Sequence, residues 1–163
     1  MMPKLVRDFF YGGLAIALIA GTFLLWLWQP QRQVQRHSEN LLHAFERKDW
    51  PRVADFVAPD YQDQWHNDRA LLLERSREVF RYLRNVRLAP APAEVEVGHG
   101  NAHWRSRITI NGAEGEVMLA VKQRVNSVST PFDFEWRHAS GKPWDWKLVR
   151  VTNAELALPD YAE

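Results

Sequence analysis

The sequence predicts an α+β domain, three N-terminal helices packed on a curved antiparallel sheet, preceded by one transmembrane helix. Three observations carry this. Residues 9–28 form a run of 20 residues without a charge. Apolar residues recur at helical spacing between residues 38 and 86. After Pro92 the apolar period changes to two, with turn residues between the segments.

The uncharged run, FFYGGLAIALIAGTFLLWLW, spans roughly 30 Å as a helix, the thickness of a bilayer's hydrocarbon core. Tyr11 near one end and Trp26 and Trp28 at the other suit the two interfacial belts. A cleaved signal peptide is the alternative, and Ala15-Ile16-Ala17 has the small-x-small pattern for it. The apolar run continues well past that point, which favours an uncleaved anchor in the lipid bilayer. Lys4 and Arg7 flank the run more closely than Arg32 and Arg36 do. The positive-inside rule therefore favours a single-pass protein with its domain on the extracytoplasmic, periplasmic side.

The expected organisation is an N-terminal flank at 1–8, the span at 9–28, a polar stalk at 29–37, one domain at 38–158 and a tail at 159–163. Ser38 is read as the N-cap of a helix to Lys48 carrying Leu41, Leu42 and Phe45. Asp49 caps a short second helix, with Pro51 in its first turn and Val53, Phe56 and Val57 facing inward. A third helix is expected from Asp68 to Arg84, with Arg75, Arg77, Arg81 and Arg84 forming a solvated face paired with Glu74 and Glu78. Strands follow at 94–97, 102–110, 116–125, 132–137 and 144–151, with Asn111-Gly112 read as a hairpin turn. On the last strand Trp144 and Trp146 share a face, and Trp146 is expected against Phe45, Phe56 and Phe80.

Composition narrows the chemistry. The absence of Cys excludes disulfides, thiolate metal sites and a cysteine nucleophile. From Ser38 onward 17 Lys and Arg stand against 19 Asp and Glu, a net of −2, which argues against a nucleic-acid partner. The six His are scattered without HxH spacing, and the single HxxxH pair, His99 and His103, has no third ligand nearby in sequence, so no metal and no cofactor is expected. GxGxxG, Walker A and GxSxG motifs are absent.

The segments AFERKDWPRVADFVAPDYQD and PFDFEWRHASGKPWDWKLVRVTNAEL, with the helix between them, resemble the NTF2-like (SnoaL-like) family over residues 38–156. Lys48-Asp49-Trp50 resembles the acidic turn between that family's first two helices, Asp60-Tyr61 the entry to its pocket loop, and the segment from Trp144 to Val149 its last strand. The resemblance implies a conical cavity between helices and sheet. It also implies a choice of roles. Ketosteroid isomerase, scytalone dehydratase and limonene-epoxide hydrolase relatives place acid/base groups in the cone, but no complete set of theirs aligns here. Membrane-anchored VirB8-like assembly subunits share the architecture, but their Asn-Pro-x-Gly motif is absent from this chain.

The candidate catalytic residues are Tyr61, Asp63 and His66: an acid/base pair from Asp63 and His66, with Tyr61 as hydrogen-bond donor. The competing reading is a polar loop in which Tyr61 and Trp65 plug the cavity and Asp68 caps the next helix. Pocket-lining candidates are Trp65, Trp104, Phe132, Phe134, Trp136 and Trp146, all of which suit a core equally well. The expected role is non-enzymatic binding of a small apolar ligand or a protein partner. An isomerase, dehydratase or hydrolase and an assembly subunit, with a homodimer open, are the alternatives.

Overall fold

The computed structural model describes residues 16–22, 29–112 and 116–156. Among these, no helix is long and apolar enough to cross a membrane. The expected span lies largely outside the described residues. Its described part, 16–22, is helical and exposes Ile16, Leu18 and Ile19. The expected tail also lies outside.

Helix α1 (Pro30–Glu46) begins nine residues earlier than the sequence suggested. Pro30 occupies its first turn, where the missing N–H costs nothing. Ser38 is therefore no cap. It sits mid-helix, fully buried, in a stripe with Val34, Leu41 and Leu42. The segment read as a stalk is the first two turns of this helix, and its Val34 belongs to the core.

The caps downstream follow the sequence. Asp49 Oδ accepts the Arg52 N–H at 3.2 Å at the start of α2 (Trp50–Phe56), and Asp68 Oδ accepts the Leu71 N–H at 2.8 Å at the start of α3 (Arg69–Tyr82). Replacing Asp49 by Ala should cost about 1 kcal/mol through the lost cap. Urea unfolding of the two proteins checks this, and an unchanged midpoint would remove the cap from the stabilising interactions.

Strands β1 (Arg87–Pro90), β2 (Glu94–Val97), β3 (Asn101–Ser106) and β4 (Ile108–Asn111) follow α3. Helix α4 (Glu116–Asn126), β5 (Phe132–His138) and β6 (Trp146–Thr152) complete the chain order. The main sheet is antiparallel, in the order β2-β3-β5-β6, and β1 pairs with β4 in a separate two-stranded sheet. The expected strand at 102–110 thus breaks at Arg107 and serves both sheets. Ala102, Trp104, Ser106, Ile108 and Ile110 still share one buried face across the break. Strand β1 was not foreseen; Val86, counted with the helical apolar spacing that ends there, is buried just before it.

The strand expected at 116–125 is helix α4. Met, Leu, Ala, Lys, Gln and Arg dominate the segment and favour a helix, and Val121 and Val125 fall one turn apart. Asn126 at its end gives a reason for no further strand. Its side chain donates to the Ile110 carbonyl at 3.0 Å and accepts the Ile110 N–H at 2.7 Å, occupying the edge that another strand would use. Asn111-Gly112 consequently makes no hairpin. Gly112 has φ +83, and a Cβ there would lie 2.0 Å from the Asn85 carbonyl oxygen. The glycine lets the chain pass directly over the α3–β1 connection.

The core is continuous on one side and open on the other. Trp136, Trp104, Leu148, Val53 and Leu41 fill the space between α1, α2 and the main sheet. Trp136 meets Phe56 and His37 edge-on, at ring-centroid distances of 6.4 and 5.8 Å. The sequence assigned that contact with Phe56 to Trp146. Trp146 packs instead on His138 at 4.9 Å, and its indole N–H donates to the Pro143 carbonyl. Trp144 precedes the strand, lies in a turn and is exposed.

Candidate functional site

Helix α3 has no fully buried residue. It stands off the sheet, and the space beneath it is a cavity of about 370 Å³. Leu72, Val79 and Phe80 of α3 form one wall. Phe132 and Phe134 of β5, with Ile108 and Ile110 of β4, form the opposite wall, and Val121 and Val125 of α4 close one end. At the other end lies the loop between α2 and α3, with Tyr61, Asp63, Trp65 and Asn67.

That loop is organised by Asp63, which is buried. One carboxylate oxygen accepts the Trp65 and Asn67 backbone N–H groups, both at 2.9 Å. The other accepts the Asn67 side-chain amide at 2.9 Å and the Tyr61 hydroxyl at 3.3 Å. Asp and Asn side chains commonly bond backbone groups two to four residues on, and here that habit closes a seven-residue turn. The loop is also sewn to the end of the chain. Ala58, Gln62 and Gln64 donate backbone N–H groups to Leu148, Val149 and Val151 of β6. The Trp65 indole N–H donates to the Leu156 carbonyl at 2.8 Å, and the Gln64 amide donates to the Asn153 carbonyl at 2.7 Å. These bonds cover the β6 edge and fix the position of the cavity's polar end.

The expected acid/base pair does not form. His66 has φ 60 and is exposed, and its side chain is not among the cavity's lining groups. Burial, reinforced by the neighbouring Asp63 carboxylate, pushes the Tyr61 phenol well above its usual range, so its proton stays on the oxygen and is donated to Asp63. Both Asp63 oxygens are occupied by donors. Tyr61, Asp63 and Asn67 thus form a closed hydrogen-bonded set at the cavity's polar end.

Of the pocket-lining candidates, Trp65, Phe132 and Phe134 line the cavity. Trp104, Trp136 and Trp146 do not; they belong to the solid half of the core. Sequence reasoning missed Asn67 and Arg75. Arg75 lines the cavity and donates from its guanidinium to Asn67 Oδ1 at 2.8 Å. The pairing expected of the α3 arginines with Glu74 and Glu78 is absent: among the described residues no ion pair involves any of these groups. Asn67 sits four residues after Asp63, an offset that could have drawn attention to it. Arg75 carries no local signal, because its contact depends on how α3 lies over the loop.

The sheet's other face is charged. Asp133 is shared by His103 at 3.0 Å and Arg105 at 3.1 Å, and Arg105 also reaches Glu96 at 2.8 Å. His103 therefore lies outside the cone, on the face opposite Trp104. A larger cleft of about 850 Å³, bordered by Arg47, Lys48, Arg84 and Arg87, is lined mainly by polar groups and lacks the apolar walls of the cavity under α3. On α1, His37 Nδ1–H donates to the Gln33 carbonyl at 2.8 Å, and burial holds its imidazole below the usual range.

An antiparallel sheet with helices over one face and a cavity between them defines the NTF2-like class of fold, and solved structures bear this out. An NTF2-like protein of unknown function in nutrient uptake from Rhodospirillum rubrum is 22% identical, with a TM-score of 0.53 over 72% of this chain and 93% of its own. A protein from Novosphingobium aromaticivorans, provisionally named an aromatic ring hydroxylase, is 18% identical, with a TM-score of 0.59 over 75% and 85%. Bd1075 from Bdellovibrio bacteriovorus is 9% identical, with a TM-score of 0.58 over 74% of this chain. The chain spans only 38% of the Bdellovibrio protein's length. No family model and no curated protein matches the sequence. At these identities the likeness is one of fold.

Proposed function

We propose that the chain is a membrane-tethered NTF2-like domain that binds a small apolar ligand under α3 and performs no chemistry on it. The observation that carries this is a cavity with apolar walls whose buried polar groups already satisfy one another. Its volume of about 370 Å³ lies near the lower end of the roughly 300–1,000 Å³ usual for small-molecule sites. A general acid or base needs an uncommitted proton or lone pair facing the ligand, and Tyr61 and Asp63 have neither to spare.

N-phenyl-1-naphthylamine, a neutral apolar fluorophore, tests the reading. It should bind saturably to residues 29–163, and Val79→Trp, which places an indole in the cavity, should weaken binding about tenfold or more. Binding unchanged by the added indole would locate the probe elsewhere and defeat the proposal.

The tether is part of the same reading. Residues 9–28 have the length and composition of a span, and the charge balance favours a domain outside the cytoplasm. The full chain should stay with membranes through a carbonate wash, whereas residues 29–163 should be released as a folded, soluble domain. Externally added protease should reach the domain in spheroplasts. Full-length protein in the wash supernatant would refute the anchor, and protection from protease would reverse the orientation.

A further inference from the structure

We infer that the ligand is an amphipathic anion, its single apolar tail lying along α3 and its carboxylate held at Arg75; this rests on the binding proposed above. Arg75 lines the cavity from an exposed position, so its guanidinium sits between apolar wall and solvent. Among the described residues one of its five N–H donors is committed, to Asn67 Oδ1 at 2.8 Å. That partner is a neutral amide, held in turn by Asp63 through its own N–H and its side-chain NH₂. The guanidinium is thereby positioned without being neutralised. A carboxylate suits its fork geometry in a way that a hydroxyl does not.

The other charged groups nearby are consistent with this. Asp63 would repel a second carboxylate if bare, but its charge is spread over four donors. Glu74 and Glu78 on α3 are exposed and do not line the cavity. The tail's course follows from the helix. Leu72 and Arg75 lie near the polar end, and Val79, Phe80 and Leu83 continue along the same wall. Eight residues from Arg75 to Leu83 are about 12 Å of helix axis. The length suits one short acyl chain and the volume excludes a two-chain lipid. An exposed cation at the mouth lets the head group stay near water while the tail leaves it, so neither end is desolvated without a partner.

The test is calorimetric titration of the full chain in lipid nanodiscs, with empty discs as the blank, using decanoate and 1-decanol as probes. Decanoate should bind, and decanol should bind about 10- to 100-fold more weakly, the span expected for losing one charge-assisted contact. Arg75→Gln should weaken decanoate by a similar factor and leave decanol unchanged. Because Arg75 is exposed, the variant should fold, and its melting temperature verifies that. Equal binding of the two probes, or decanoate binding indifferent to Arg75→Gln, would overturn the inference while leaving apolar binding in place. Failure of both probes to bind would overturn the binding proposal as well.

Discussion

Asp63→Ala should lower the unfolding free energy by about 3–5 kcal/mol, because several buried donors lose their one shared acceptor. The carboxylate accepts from the backbone of Trp65 and Asn67, from the Asn67 side chain and from the Tyr61 hydroxyl. Alanine supplies no acceptor, so these donors are left facing a low-polarity cavity, and each orphaned buried donor costs about 1–3 kcal/mol. They share one partner, so the costs do not simply add. Asp63→Asn keeps the shape but turns one acceptor into a donor opposite two N–H groups or opposite Asn67, and it should recover only part of the loss. Urea unfolding of the three proteins measures the series. A catalytic Asp63 would give a different pattern: stability preserved or raised in Asn, with function lost. That pattern would reopen the enzymatic reading.

The same residue shows how much of the site was legible. Tyr61, Asp63 and Trp65 stood out because aromatic and acidic residues crowd a connection that the NTF2-like resemblance placed at a cavity mouth. The direction of each side chain was not legible. His66 is one residue from the cavity-lining Asn67, yet its left-handed backbone turns it to solvent. Arg75 looked like one of four solvated arginines. Only the packing of α3 across the loop, eight residues away in sequence, distinguishes it.

The fold divides in the same way. The caps at Asp49 and Asp68 and the alternation from Ala102 to Ile110 are local effects, and the structure keeps them. Segment 116–125 is a short apolar-rich run, which fits a strand or a helix by periodicity alone. What decides it is Asn126 blocking the β4 edge, a long-range contact. The start of α1 was obscured for another reason. The segment QPQRQVQRH is polar in composition, and Val34 alone reports that one face of it is buried.

Trp136→Ala should cost about 3–5 kcal/mol, the range for emptying a large aromatic site, and more than Trp146→Ala. Trp136 is fully buried on β5, an interior strand of the main sheet, with Phe56 and His37 edge-on to its ring. Little around it can collapse into the vacated space, because α1, α2 and both neighbouring strands are held by their own contacts. Trp146 opens β6, the edge strand, and packs on the partly exposed His138, where water and side-chain movement can refill the gap. Trp136→Phe adds a second discrimination. The Trp136 indole N–H is buried with no hydrogen-bond partner among the described residues, so phenylalanine removes an unpaired donor along with some volume. It should therefore cost clearly less than alanine. Urea denaturation of the three variants sets the order, and a larger loss for Trp146→Ala than for Trp136→Ala would mean that the centre of the packed half has been misplaced. Trp136 also lies outside the cavity lining. A Trp136→Phe protein that folds should bind N-phenyl-1-naphthylamine as the wild type does, whereas Val79→Trp should not. This separates the half of the cone that holds the fold from the half that stays open for a ligand.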